Sequence, residues 1–412
     1  MASNVVPKEE EQTFTLRLLV DREKNRVVVA EASRDFVDTL FSFLTIPLGT
    51  IIRLISKNNH HDQQPQHGCV NNLYRSVENS GDKVFWNPIC KRMLLRPRNS
   101  SESLCKKLKL NVDDTEPTRF FMCSSKCSIR DSTLLSTFSG ANCLKCGKLM
   151  DRETKLLEDS GEVRHQHGQD GVFLKGEARY IVSDDLKVLR NFPGNLMKEL
   201  VKLGYTDFNN LSEMSRVVGF KEILELMKKA LTSTSPLSDV FLESEESKLL
   251  YSFSPKVPGN STNSHITIKV FARKSMKKIM YAEAEEDFVD FLFSFLTAPI
   301  GSTMKLLDGN ASLGCMNYLY KSVKDFSDLW FVGNSNAILL HPSVAPKFGC
   351  RNSLRLFSEK RAPTYYYGSK TGNDAISSDF FNGSSMMMFE PRSSDGINTQ
   401  GFVRRPSLFV VG

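Results

Sequence analysis

Fifteen residues from Asp35 to Gly49 read DFVDTLFSFLTIPLG, and they return from Asp287 to Gly301 as DFVDFLFSFLTAPIG, with twelve letters unchanged. A chain with this feature repeats a piece of its own architecture, so whatever one copy folds into, the other is expected to fold into as well. The similarity runs outward from the segment. FTLRLLV from Phe14 matches ITIKVFA from Ile266, and VVVAEA from Val27 matches IMYAEA from Ile279. GCVNNLYRSV from Gly68 matches GCMNYLYKSV from Gly314, after a six-residue insertion in the polar run NNHHDQQPQ of the first copy. LLRP from Leu94 matches LLHP from Leu339, and PTRFF from Pro117 matches PTYYY from Pro363. At 412 residues the chain is too long for one ordinary core.

One copy reads as α+β, a hairpin followed by helices. The β-rich runs 14–20 and 26–32 flank the polar DREKN and predict the hairpin. A helix is expected from Asp35 to Leu44. A second is expected from Pro47, where proline suits the first helical position, with Leu48, Ile51, Ile52 and Ile55 at helical spacing. A third covers 70–78, and 84–122 reads as mixed strand and loop. The first module then spans 13–122 after a disordered tail 1–12, and the second spans 265–367. Between them, 171–242 reads as a strand and then a mainly helical middle region. There Phe220, Ile223, Leu224, Met227, Ala230 and Leu231 form one apolar stripe, and Glu225 and Lys229 can pair on the far face. Residues 243–264 have linker composition. GFVRRPSLFVV from Gly401 resembles VFLKGEARYIV from Val172, so 401–412 reads as the truncated start of a second middle region.

On a helical wheel, Phe36, Val37, Leu40, Phe41, Phe43 and Leu44 cover one arc, and Asp35, Asp38 and Ser42 fall on the other. The pattern predicts a helix buried on one broad face, with acids favoured near its N-terminus by the helix dipole. The competing reading is a carboxylate pair for acid–base or metal chemistry, repeated as Asp287 and Asp290. No histidine, lysine or glycine-rich loop stands beside the acids at matching positions in both copies, so scaffold is the expectation.

The chemistry-bearing pattern lies elsewhere. CSSKC carries Cys123 and Cys127, and CLKCG carries Cys143 and Cys146 followed by Gly147. Two close thiol pairs separated by a loop can close a tetrahedron around zinc, in a small zinc-ribbon-like segment over 123–150. With all four ligands from protein, the metal is expected to be structural, one per chain. His165 and His167 are spare ligand candidates in a polar loop. The second copy has no cysteine at the matching place: Ser369 stands opposite Cys123, and 368–400 is expected to be poorly ordered.

Other groups are weaker candidates. Cys69 and Cys315 each precede an expected helix and offer a thiol-dependent enzyme, but no base matches in both copies. Cys105 and Cys350 also correspond. His60, His61 and His67 lie in the insertion. Lys91, Arg92, Arg96, Arg98, Lys106, Lys107 and Lys109 form a basic stretch that could grip phosphates, with Phe85 and Trp86 as stacking surfaces, and nucleic acid is the partner it would serve. The net charge of +7 does not demand such a partner.

The start MASNVVPKEEEQ has no apolar signal core, and no apolar run is long enough to cross a bilayer. An intracellular protein, cytoplasmic or nuclear and without a membrane partner, is expected, and nine cysteines then suit thiols or metal ligation rather than disulfides.

The order of motifs LRLLVD, RVVVAEA, DFVDTLFSFLTIPLG, NNLYRSV, the paired cysteines, YIVSDDLKVL and LTSTSPLSDVFL resembles the plant family catalogued as domain of unknown function 674. The resemblance covers nearly the whole chain and implies tandem units and no established activity. The chain departs from the family pattern in its widened first cysteine pair, the missing cysteines of the second copy and the early stop. The residues themselves predict a non-enzymatic protein-interaction or scaffold protein with one zinc site. Nucleic-acid binding through 91–109 and a thiol-dependent enzyme stand as alternatives.

Overall fold

The polar DREKN turn folds one strand back on another. These are β1 (Phe14–Asp21) and β2 (Arg26–Ser33), antiparallel, with a register shift between Leu19 and Val20 and Asn25 in the left-handed region at φ 46. The computed structural model describes residues 12–412 except 58–67, 130–131, 158–169, 243–264, 274, 276–277, 308–312, 351–353, 355, 371–372, 379–383, 394–400 and 405–407. The expected linker, the insertion with His60, His61 and His67, and the loop with His165 and His167 all lie outside the described residues.

Ser33 caps α1 (Arg34–Ser42) by accepting from the Phe36 N–H, and α2 (Leu48–Lys57) starts one residue after Pro47. α3 (Gly68–Asn79) follows. Asn87 accepts from the N–H groups of Ile89 and Cys90 and so caps α4 (Pro88–Leu95), with Pro88 in its first turn. α5 (Glu102–Cys105) is one turn. The strand and loop expected over 84–122 is therefore mostly helix and loop. The Asn-Pro pair is a helix-start signal that outweighs the β-rich letters around it.

Short strands surround the cysteines: β3 (Phe120–Met122), β4 (Ser128–Ile129), β5 (Ser132–Ser136), β6 (Ala141–Asn142), β7 (Leu149–Met150) and β8 (Arg152–Thr154). The first half ends with β9 (Arg179–Ser183), β10 (Val188–Arg190), α6 (Pro193–Lys202), β11 (Leu211–Val218), α7 (Phe220–Thr232) and α8 (Pro236–Phe241). The second half holds β12 (Ile268–Arg273), β13 (Lys278–Glu285), α9 (Glu286–Thr297), α10 (Ile300–Leu306), α11 (Met316–Asp325) and α12 (Ser335–Leu340). Four strands follow: β14 (Tyr365–Lys370), β15 (Asn373–Ser377), β16 (Ser384–Met388) and β17 (Leu408–Val411).

The chain is α+β, but its parts are shared more than the sequence suggested. The first sheet has the order β10-β9-β2-β1-β11, so the middle region supplies three of its strands around the hairpin. A mainly helical middle region had no place for β11. Its LSEMSRVV is largely polar and exposed, an edge strand without apolar alternation. A second sheet has the order β12-β13-β17. A third, β15-β14-β16-β5-β3-β8 with β4 on β5, draws on both halves through parallel pairing of β16 with β5. The described part of 368–400 forms β15, β16 and the end of β14 within that sheet. The pairing is made by backbone groups and by apolar Met386 and Ile376, which need no metal.

The repeated segment lies where the halves meet. The Leu48 N–H donates to the Ala298 carbonyl at 3.0 Å, and the matching Ile300 N–H donates to the Ile46 carbonyl at 3.1 Å. Two isolated backbone bridges, Leu174 with Phe331 and Phe85 with Val403, join the halves in the same reciprocal manner. Val332 N–H donates to Phe173 O and Lys175 N–H to Trp330 O, each at 2.8 Å, while Trp86 N–H donates to Phe402 O at 3.0 Å and Arg404 N–H to Val84 O at 2.9 Å. The largest core joins Phe36, Leu40, Phe41 and Leu44 to Ile300, Met304, Leu319 and Phe326. No helix among the described residues is long and apolar enough to cross a membrane.

Candidate metal centre

β3 delivers Cys123 at its end, and a tight turn returns the chain to Cys127. The Lys126 N–H donates to the Cys123 carbonyl at 2.8 Å with Lys126 at φ 47. β6 and β7 form a small hairpin whose tip carries the second pair. Its Cys143 N–H donates to Lys148 O at 2.7 Å, and its Gly147 N–H donates to Cys143 O at 2.8 Å. Gly147 sits at φ 72, a conformation that glycine adopts without a Cβ clash.

The two turns bring four sulfur atoms together, all within 4.8 Å of one another. Cys123 Sγ lies 3.9 Å from Cys127 Sγ and 3.4 Å from Cys146 Sγ. Disulfide sulfurs would be about 2.05 Å apart, and all four thiols are free. A tetrahedral ion with zinc–thiolate bonds of about 2.3 Å sets its sulfurs about 3.8 Å apart. The sulfur separations scatter around that value. The backbone N–H of Lys148 donates to the Cys146 sulfur and pulls that thiol down to about 7. Its hydrogen bond with Cys127 pushes that thiol up to about 12, and burial raises Cys143. Four thiolates this close repel one another, and a cation among them offsets that repulsion. Cys123 and Cys143 are buried against Leu134, Phe138, Ala141 and Met150, whereas Cys146 is exposed. These four cysteines could hold a metal ion.

Asp38 does something the wheel did not predict. It is buried, and its carboxylate accepts from the N–H of Val172 at 2.6 Å and of Leu174 at 3.1 Å. Asp290 repeats the arrangement, accepting from Phe402 N–H at 2.7 Å and Val403 N–H at 3.1 Å. A Cβ on Gly171 would fall onto Asp38 Oδ2, and one on Gly401 onto Asp290 Oδ2. The repeated acid is thus a peptide-binding clamp inside the fold. The sequence carries only half of the signal for it, the acid repeated at Asp38 and Asp290; the peptides these acids hold lie more than a hundred residues downstream.

The basic stretch is dispersed and largely engaged within the chain. Lys91 Nζ donates to Ser80 O at 2.7 Å and Arg92 to Ser139 O at 2.8 Å. Arg98 donates to Thr137 O at 2.6 Å and lies 5.3 and 5.8 Å from the ring centres of Phe138 and Phe348. Arg96 pairs with Glu116 at 3.8 Å and Lys106 with Glu102 at 2.7 Å, while Lys109 sits over the Phe14 ring at 5.4 Å. Lys107 is exposed. Arg92, Arg96 and Arg98 do share a pocket of about 130 Å³ with Arg53 and Arg119, but Asp114 and Glu116 line it too. Phe85 was a candidate stacking surface; it is fully buried and packs on Phe293, and Trp86 is half-buried.

The remaining thiols differ by position. Cys69 is exposed, whereas Cys315, at the matching place, is buried and its thiol is raised by burial as it donates to Ser233 O at 3.2 Å. Burial also pushes Cys105 up to about 12 and Cys90 up to about 11. Protonated buried thiols are poor nucleophiles. Sequence reasoning also missed a fully buried ion pair, Arg392 Nε to Glu390 Oε1 at 2.9 Å, with the guanidinium over the Phe402 ring at 4.7 Å. It falls in the stretch where disorder was expected.

The described motifs coincide with a family described as protein of unknown function (DUF674), which matches residues 10–412. The chain belongs to the DUF674 family. No curated protein and no solved structure matches the chain. The family's description assigns no activity.

Proposed function

We propose that this DUF674 chain is a non-enzymatic protein-interaction scaffold, two copies of one α+β module stabilised by a structural zinc ion on Cys123, Cys127, Cys143 and Cys146. The observation that carries the reading is the use of the repeated polar groups. Asp38 and Asp290, the second of the two acids repeated in both halves, are spent on backbone N–H groups of the chain itself, while Asp35 pairs with the neighbouring Arg34. The four-sulfur cluster supports zinc, because four protein ligands fill a tetrahedron and leave no position for substrate. Bound there, zinc would supply cross-linking of two turns rather than chemistry, and Lys148 and the backbone around Gly147 would hold the Cys146 thiolate.

Metal analysis of the purified full chain tests the zinc. About one zinc per chain is expected for a single four-ligand site. Cys143→Ser should lose the metal and lower the unfolding midpoint, because metal binding and local folding are coupled. A Cys143→Ser protein that keeps both metal and midpoint removes the zinc reading. A catalytic turnover abolished by Asp38→Asn in a protein that still folds removes the scaffold reading.

A further inference from the structure

Five arginines converge where α2, α4 and the entry to β3 meet. Arg53, Arg92, Arg96, Arg98 and Arg119 line one pocket of about 130 Å³, with Asp114 and Glu116 as the acids in its wall. Lys57 also pairs with Asp114, and Glu153 with Arg119, one charge of each sign. The pocket therefore keeps an excess of three positive charges. Glu102, whose charge also reaches Arg98, is taken up by Lys106 and Thr118.

The guanidinium groups are held by contacts that leave much of their charge in place. Arg92 donates to Ser139 O at 2.8 Å and Arg98 to Thr137 O at 2.6 Å, and among the described residues neither forms an ion pair with a carboxylate. A carbonyl fixes a guanidinium without neutralising it. Arg98 lies over the Phe138 and Phe348 rings, and Arg119 over the Phe121 ring at 5.6 Å, stacking that orients each planar fork. Arg53 is the buried member, 7% exposed. Its terminal nitrogens meet Asp114 and Thr115, but its buried Nε–H has no acceptor among the described residues. Buried donors are almost always paired, so an orphan on a charged group points to an acceptor from outside the chain.

The repeat shows that the fold does not require these arginines. The second half places Lys305, Ala337, His341, Ser343 and Tyr365 opposite Arg53, Arg92, Arg96, Arg98 and Arg119, on the matching elements α10, α12 and β14 and the loop after α12. Burial and then the Lys305 charge hold the His341 imidazole below its usual range, so these two positions converge in the second half as Arg53 and Arg96 do in the first. Only the first half fills the whole set with arginine.

We propose that this pocket binds a phosphate dianion, either inorganic phosphate or the terminal group of a small phosphomonoester. Guanidinium forks match phosphate oxygens two at a time, and the Arg53 Nε–H gains its acceptor. The excess of three positive charges suits a dianion better than the single charge of a phosphodiester. The volume of about 130 Å³ is well under the roughly 300 Å³ at which pockets begin to enclose a larger ligand, so it takes a phosphoryl group and little beyond it. The site goes beyond the scaffold reading and does not depend on it.

Calorimetric titration of the full chain at low salt, with inorganic phosphate and separately with glycerol 2-phosphate, tests the site. A saturable Kd below about 1 mM is expected for at least one of them, and the tighter names the source. Arg92→Ala and Arg53→Lys should each weaken binding tenfold or more. The Arg53→Lys change keeps a charge for Asp114 and removes the Nε–H; Arg92 is exposed, so Arg92→Ala reports even if the other variant does not fold. Lys107→Ala, at an exposed basic residue outside the pocket, should leave the Kd unchanged. Binding weaker than about 1 mM for both probes overturns the proposal. So does binding that survives either variant in folded form, or that falls equally in Lys107→Ala, which would mean a diffuse basic surface. An oligonucleotide without terminal phosphates, or a phosphoserine peptide, that binds at least tenfold more tightly than both probes assigns the pocket to a macromolecule and also overturns it. The scaffold reading survives each of these outcomes and falls only with catalytic turnover.

Discussion

Asp38 shows how a residue placed correctly on a helix can be read wrongly for its surroundings. A wheel assumes that the face opposite the apolar arc meets water. Here α1 is enclosed on both sides, by the first sheet and by the second half, whose Phe326 ring lies 5.9 Å from Phe41. Asp38 and Ser42 are therefore buried too. Burial pushes the Asp38 carboxyl up to about 7, against the pull of the Val172, Phe173 and Leu174 N–H groups and of Arg34. Its folded pKa thus lies above the unfolded value of 3.8. Between about pH 4 and 7 the folded state keeps a proton that the unfolded chain has released, so this group's contribution to stability falls as pH rises through that window. Urea unfolding across the window should show a downward slope in the native chain and a shallower one in Asp38→Asn, which cannot ionise. Equal slopes would mean that the carboxylate is held ionised by its N–H donors. The cysteine set was readable at this scale, since spacing alone places two thiol pairs together. The clamp was not, because it depends on a backbone segment more than a hundred residues downstream.

The elements legible in the sequence were those with strong local signals: the hairpin around DREKN, α1, the start of α2 at Pro47, and α7 with its apolar stripe. β11 and α4 were lost for opposite reasons, one for lack of apolar alternation and one because a capping pair was overlooked. The glycine that closes the repeated segment carries the sharper lesson. A Cβ on Gly49 would lie 2.9 Å from Leu296 O and 3.0 Å from Leu94 O; one on Gly301 would lie 2.8 Å from Leu339 O and 2.9 Å from Leu44 O. Both helices start so close to carbonyls, one from the other half, that no side chain fits. Gly49→Ala and Gly301→Ala should each destabilise the chain by about 1–3 kcal/mol, the cost of overpacking a tight contact. Gly81→Ala, with nothing within 4 Å of the added carbon, should stay within about 0.5 kcal/mol. Chemical denaturation compares the three, and an unchanged midpoint for both buried variants would refute the close approach.

For the whole molecule, the meaning of the repeated segment shifts from a signature to an interface. Leu48 with Ala298 and Ile300 with Ile46 are one contact made twice, and the backbone bridges at Phe173–Val332 and Trp86–Phe402 bind each half to the other in the same reciprocal way. Sequence periodicity cannot show this, because it describes what one segment buries and not what buries it. The two halves therefore share a core instead of being linked as beads. The full chain should unfold through one cooperative transition despite its length, since neither half keeps its core when the other opens. A fragment ending at residue 264 leaves Phe41, Leu44, Ile46 and Leu48 without the partners α10 and α11 bring, and leaves β5 without β16. It should bind a hydrophobic dye, self-associate on size exclusion and melt below the full chain. Recovery of a monomeric fragment with the midpoint of the full chain, or two resolved transitions in the full chain, would instead make the halves independent.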